Sequence, residues 1–175
     1  DNYELFRETV EFALSLSVRK VYFSNLILLP GTTYWDDREK HEISYGTTAP
    51  YVVGSTKTYP LEEMKLTRVF AMIVLHILYA PPIRDIVYKM VEYNPNLRRV
   101  ELIDKYGEIM LKYINPFMGV DLDILSIYAN NQARRKVFNL LSLPQNCLIS
   151  YSCAAELLQF FKLDHVEDLN QFILL

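Results

Sequence analysis

The feature that most constrains the fold is an apolar run, Val21 to Leu29, that stops abruptly at Pro30. The run is rich in aromatic and branched residues, which is typical of a buried strand entering a sharp loop. A helical pattern over residues 2–16 precedes it, so the chain is predicted to begin with a helix–strand unit. One such unit cannot bury both faces of its strand, and the pattern therefore favours a piece of a larger α/β sheet.

The predicted first helix begins at Asn2, whose side chain can cap it, and Glu4 lies in its first turn. Several residues at helical spacing form its predicted apolar face. They are Leu5, Thr9, Phe12, Ala13 and Leu16.

The rest of the chain is predicted to be a long loop followed by helices. Residues 30–59 hold the densest proline and glycine punctuation, so we expect an extended loop with a short helix near residues 33–41. Helices are predicted over 60–79, 83–92, 97–113, 121–129, 131–141, 152–161 and 165–174, with Pro116 ending the third. The predicted fold class is mainly α with a small α/β N-terminal part, divided into residues 1–59 and 60–175.

Composition and charge exclude several classes of protein. A hydrophobic content of 51% with 22% charged residues is typical of a globular core. The net charge of −3 argues against a general nucleic-acid binder. The apolar run over residues 69–79 is too short to span a bilayer, so we expect no membrane partner. Two cysteines make no disulfide framework, which favours a cytoplasmic protein.

Three segments in order resemble one family. The first runs from Asp1-Asn2-Tyr3 to Phe12-Ala13-Leu14 and the second is Leu28-Leu29-Pro30-Gly31-Thr32. The third runs from Ile43-Ser44-Tyr45 through Ala49-Pro50-Tyr51 to Pro60-Leu61-Glu62-Glu63-Met64. Together they resemble the end of the barrel and the C-terminal region of cobalamin-binding radical SAM enzymes of the Fe–S oxidoreductase type. The resemblance covers roughly residues 1 to 80 and fades along the helical remainder.

The resemblance implies a cofactor-binding segment at the end of the predicted strand. Leu26, Ile27, Leu28 and Leu29 would contact SAM, and Pro30, Gly31 and Thr32 would cover the site. Tyr45 and Tyr51 would lie on the substrate side. The alternative from the residues themselves is that Pro30-Gly31 simply turns the chain after a buried strand.

The cofactors of this family are expected outside this chain. A four-iron cluster needs a CxxxCxxC motif, whereas the only cysteines here are Cys147 and Cys153. The cobalamin-binding DxHxxG motif is also absent from these residues, and the chain begins at Asp1 without a methionine. We therefore expect a C-terminal fragment that is inactive alone, with the cluster, SAM and, in a cobalamin-dependent parent, cobalamin held by the missing N-terminal part of the same protein.

Other residues that could support chemistry also have simpler interpretations. Asp36 and Asp37 are expected to be solvated carboxylates at a helix start, and His41 with Glu42 lacks a third metal ligand. His76 is expected to be a hydrogen-bonded core histidine. The two cysteines are expected to be small buried hydrophobes.

Two functions remain open at this stage. The first is the C-terminal portion of a radical SAM oxidoreductase or methyltransferase, which would close the barrel and shape the substrate side. The second is a non-catalytic helical domain that binds a partner protein. A homodimer through residues 20–29 is also predicted, because an unpaired apolar strand is a template for another copy. In the competing outcome, residues 47–55 fold back and pair with that strand.

Overall fold

A computed structural model describes residues 2–18, 20–118, 136 and 147–167. These residues form a mainly helical fold with a small two-stranded antiparallel sheet, so the predicted helical class is confirmed. The elements in chain order are α1 (Tyr3–Ser15), α2 (Thr33–Asp36), β1 (Ser44–Tyr45), β2 (Val53–Ser55), α3 (Leu61–Tyr79), α4 (Pro81–Tyr93), α5 (Arg99–Met118) and α6 (Cys147–Phe160).

Helix α1 has two apolar sides, and the side predicted to be buried is the exposed one. Asn2 caps the helix as predicted, since its side chain accepts a hydrogen bond from the Leu5 amide. The packed side carries Val10 and Leu14, which are 3% and 4% exposed. On the predicted face, Leu5, Phe12 and Leu16 are 54%, 66% and 62% exposed. The prediction of a single apolar face was wrong because the helices of the C-terminal region bury the other side.

Side chains from α1, α3, α4, α5 and α6 form the main core, in which α1 packs on α3 and α5. Its largest fully buried side chains outside the loop region are Ile83, Ile86, Met90, Leu102, Ile103, Tyr106, Met110, Ile114, Leu157 and Leu158. Glu11 fixes α1 across the start of α5, because its carboxylate accepts from the Val100 amide at 2.9 Å and pairs with Arg99 at 3.0 Å.

Prolines set two helix boundaries and fail to set a third. Pro60 stands immediately before α3, and α4 begins with Pro81 and Pro82, where a missing N–H costs nothing. Pro116 was predicted to end the third helix near Tyr113, but α5 continues through it to Met118. That prediction was wrong because a proline near a helix end removes one hydrogen bond but does not prevent the helix from continuing.

Residues 20–29 do not form the predicted strand. One isolated bridge joins Ile27 to Val52, flanked by the hydrogen bonds Leu28 N to Tyr51 O at 2.8 Å and Val53 N to Leu26 O at 2.9 Å. Of the predicted fold-back of residues 47–55, only this contact at residues 51–53 forms, and it does not cap residues 20–25. The prediction of a buried strand in a helix–strand unit was wrong. A segment becomes a strand only when it pairs with a neighbouring strand. The described part of the chain offers residues 20–29 only the short pairing with residues 51–53.

The regular strands β1 and β2 lie within the segment predicted to be loop, and α2 matches the short helix expected near residues 33–41. The helix predicted over 152–161 coincides with most of α6. The predicted helix over 121–129, that over 131–141 apart from residue 136, and most of that over 165–174 fall outside the described residues. None of the described helices alone is long and apolar enough to cross a membrane; only α3 with residues 83–93, bent by 96°, passes that test as a pair.

Candidate functional site

A second, smaller core lies beneath the residues predicted to form a site. Leu28, Ile43 and Val53 are its buried members, at 1%, 8% and 1% exposed. Met64 from α3 packs against them together with the half-buried Trp35, Tyr45 and Tyr51. Local pairing builds this core, because the bridge at Ile27 and the β1–β2 ladder bring three separate stretches of loop together.

Three aromatic rings cover the small core. The ring centroids of Trp35 and Tyr45 lie 5.7 Å apart, those of Trp35 and Tyr51 5.4 Å, and those of Tyr45 and Tyr51 6.1 Å. The Arg38 guanidinium stands 5.0 Å from the Trp35 ring centroid, a cation–π contact. The structure thus brings Tyr45 and Tyr51 together, as members of one cluster. Sequence reasoning missed Trp35 and Arg38, although the single tryptophan of the chain was a signal.

The predicted SAM-binding segment divides into inward and outward residues. Leu28 is 1% exposed in the small core, and its amide is bonded to the Tyr51 carbonyl oxygen, so it offers no surface to a ligand. Leu26, Ile27 and Leu29 are 48%, 42% and 57% exposed and offer apolar side chains to a covering ligand or protein.

The loop after this segment is a turn that leads into α2. Pro30, Gly31 and Thr32 are all exposed, and the Thr32 hydroxyl accepts from the Trp35 amide at 3.3 Å as the helix cap. Gly31 has a φ of 82°, and a Cβ built there would meet no atom within 4 Å. The backbone angle alone therefore explains the glycine, which favours the turn interpretation while leaving the loop surface open.

Two polar contacts fasten the small core to the first half of α3. Arg68 donates from Nη2 to the Val53 carbonyl oxygen at 2.6 Å. The Tyr59 and Thr67 hydroxyls form a short hydrogen bond. The aromatic cluster is consequently held against α3, although Trp35 comes from α2, Tyr45 from β1 and Tyr51 from the loop before β2.

The described residues do not fit an iron–sulfur cluster or another metal site. Among them, no group of three His, Cys, Asp or Glu side chains could hold a metal ion. His41 instead stacks on Tyr34 with centroids 5.6 Å apart, and Glu42 pairs with Lys57 at 3.5 Å.

Cys153 behaves as a buried apolar residue. Its side chain is fully buried, and burial raises the pKa of its thiol to about 12. The reactive thiolate is therefore not populated near neutral pH. The expectation of a buried thiol is confirmed for Cys153, whereas the Cys147 side chain lies outside the described part of the chain.

His76 is a hydrogen-bonded core histidine, as predicted. Its Nε2 lies 3.0 Å from the Tyr106 hydroxyl, and the two rings stack with centroids 5.8 Å apart. Burial penalises the imidazolium and lowers the pKa of His76 from 6.5 to about 4. The pair holds α3 against α5 and lies in the main core, whereas the aromatic cluster covers the separate small core.

Comparison of the chain with protein-family models, with curated proteins and with solved structures finds no match. Function is therefore inferred from the residues themselves. The candidate site consists of the Trp35–Tyr45–Tyr51 cluster and the exposed side chains of Leu26, Ile27 and Leu29. Such a surface suits apolar and planar groups, which aromatic and aliphatic side chains contact through broad faces.

We predict that the free energy of unfolding depends on His76 between pH 6.5 and about 4. In that window the unfolded chain binds a proton at His76 and the folded chain does not, so stability falls as the pH falls, by at most about 3 kcal/mol. His76→Gln should flatten this slope in urea unfolding at several pH values. His165→Gln, at an exposed position, should keep it. Identical slopes in wild type and His76→Gln would contradict the prediction.

We predict that two neighbouring leucines differ sharply on truncation, because Leu28 is buried and Leu29 is exposed. Leu28→Ala leaves a cavity in the small core costing about 2 kcal/mol or more, so exchange of the Leu28 and Val53 amide hydrogens should accelerate on the order of thirtyfold. Leu29→Ala is the matched control and should leave both rates nearly unchanged. Equal effects of the two changes would show that no separate small core exists.

Proposed function

We propose that this chain is the C-terminal portion of a radical SAM enzyme, an Fe–S oxidoreductase or methyltransferase of the cobalamin-binding type. The ordered resemblance of the segments at residues 1–14, 28–32 and 43–64 suggests the family. In this proposal the chain is inactive alone. It closes the barrel of the preceding part of the same protein and shapes the substrate side, while the cluster and SAM supply the radical chemistry.

The second apolar side of α1 is the observation that carries the proposal. Leu5, Phe12 and Leu16 recur at helical spacing and are more than half exposed. The opposite side, with Val10 and Leu14, is already packed. A helix that is apolar on both sides is expected to be buried on both sides. Cover by the preceding part of the same protein supplies the missing neighbour.

The exposed part of the candidate site is consistent with this arrangement. Leu26, Ile27 and Leu29 would form an apolar wall beside SAM, and the Pro30–Thr32 turn would lie at its rim. Tyr45 and Tyr51 would face the substrate from the loop cluster. Because Leu28 and Val53 anchor these residues to α3 through the small core, the wall is held in position by the helical region.

A non-catalytic interaction domain is the second candidate, and the same α1 surface favours it. An exposed apolar stripe on a helix is a usual docking site for another protein. The two functions differ in the reading frame that encodes the residues before Asp1. A CxxxCxxC motif there favours the enzyme, and its absence favours the interaction domain.

We predict that a longer protein encoded by this reading frame binds iron and cleaves SAM. After anaerobic reconstitution with iron and sulfide, and with a strong reductant, it should release 5′-deoxyadenosine, whereas the chain alone should not. Leu29→Asp should lower the rate about tenfold or more, since a carboxylate buried against the neutral adenine of SAM would have no partner. Tyr93→Asp at the end of α4 is the control. If the longer protein lacked the CxxxCxxC motif or bound no iron, the proposal that it is a radical SAM enzyme would be refuted.

We also predict that Phe12→Ala has different costs in the two lengths of protein. In the chain alone Phe12 is 66% exposed, so its loss should change the free energy of unfolding by less than about 0.5 kcal/mol. In the longer protein the buried ring should cost about 3 kcal/mol or more. Chemical denaturation of both proteins measures this, with Tyr93→Ala as the control. Equal costs in the two lengths would mean that α1 is not covered.

A further inference from the structure

Residues 20–24 have the side-chain arrangement of a strand but no strand neighbour among the described residues. Val21 and Phe23 face the main core, and the Phe23 ring lies 5.6 Å from that of Phe6 on α1. Tyr22 between them is 80% exposed, and Lys20 and Ser24 are exposed as well. This alternation has the period of two that defines a strand with one buried face.

The backbone of this segment is unpaired. Residues 20–25 make no backbone–backbone hydrogen bond with any other described residue. The internal pairing with residues 51–53 starts only at Leu26, so it leaves this edge uncovered. Extended backbone with free N–H and C=O groups is a template for a further strand.

We propose that residues 20–24 pair with the same residues of a second copy of this chain, antiparallel, about a two-fold axis at Tyr22. Closed two-fold pairing is the commonest way for identical chains to associate. This interface concerns the chain by itself and involves neither the candidate site nor the outer side of α1. In the proposed enzyme, a barrel strand of the preceding part of the protein would take the same edge.

The register follows from the alternation of the side chains. Residues directly opposite each other on an antiparallel pair share one face of the sheet. Centring the pair on Tyr22 places Val21 opposite Phe23 on the core face and Tyr22 opposite its own copy on the outer face. A shift by one residue would set an inward residue opposite an outward one.

The pairs formed in this register suit one another. A branched residue opposite an aromatic ring and two opposed aromatic rings are both favourable cross-strand pairs. Lys20 falls opposite Ser24, so the single charge of residues 20–25 does not meet its own copy. These three complementary pairs favour a second copy as the occupant of the edge.

Opposite charges at residue 22 test the pairing directly. Because Tyr22 is largely exposed, Tyr22→Lys and Tyr22→Glu should both fold. Each alone sets like charges opposite each other and removes the aromatic pair, so the dimer dissociation constant should rise on the order of fivefold or more. An equimolar mixture of the two variants should associate again, since lysine then opposes glutamate. Tyr93→Lys and Tyr93→Glu are the matched controls.

Sedimentation equilibrium of the 175-residue chain gives the dissociation constants, and hydrogen exchange locates the interface. The proposal expects amide protection at residues 20–25 that grows with protein concentration. A strict monomer overturns it, as does a dimer that both Tyr22 variants leave unchanged. Protection of residues 20–25 found only in a longer protein would assign the edge to a strand of that protein instead.

Discussion

The burial of α5 on several sides at once is the constraint on which the rest of the structure depends. Its residues Leu102, Ile103, Tyr106 and Met110 are essentially inaccessible to water, and the helix touches α1, α3, α4 and α6. Removal of apolar area from water is worth about 25 cal/mol per Å². The four partners of α5 are all helices, whereas those of α3 are three helices and β2, so the positions of the outer helices are set by the surface that α5 presents.

The sequence predicted the helices better than it predicted their surroundings. The spacing of apolar residues and the positions of prolines predicted the bounds of α3 and α4 closely, because both signals are local. Pro116 misled because a proline in a final turn is compatible with continued helix. The side of α1 that packs could not be chosen, since residues such as Phe12 and Val10 make both sides apolar and only the position of α5 decides between them.

The segment around Leu28 shows why a strand predicted from sequence does not form when no neighbouring strand pairs with it. Branched and aromatic residues describe what suits a sheet, but hydrogen bonds to a neighbour decide whether a sheet forms. Of the candidate site, the grouping of Tyr45 with Tyr51 could be anticipated from their place beside the turn. The contact of Trp35 with Arg38 could not, because Arg38 follows α2 and reaches back to the ring and the carbonyl oxygen of Trp35.

The division into two cores has a consequence for how a ligand would be held. The small core has three buried side chains, Leu28, Ile43 and Val53, whereas the main core extends over five helices. Local opening draws on the least buried regions, so the aromatic cluster should open and close many times for each unfolding of the helices. A ligand that binds this cluster would have to order the loops, and the free-energy cost of that ordering would lower its observed affinity. A bound ligand would in turn reduce the motion of the loops. Helix α3 would couple that change to the other helices, because it carries Met64 into the small core and Val69 into the main one.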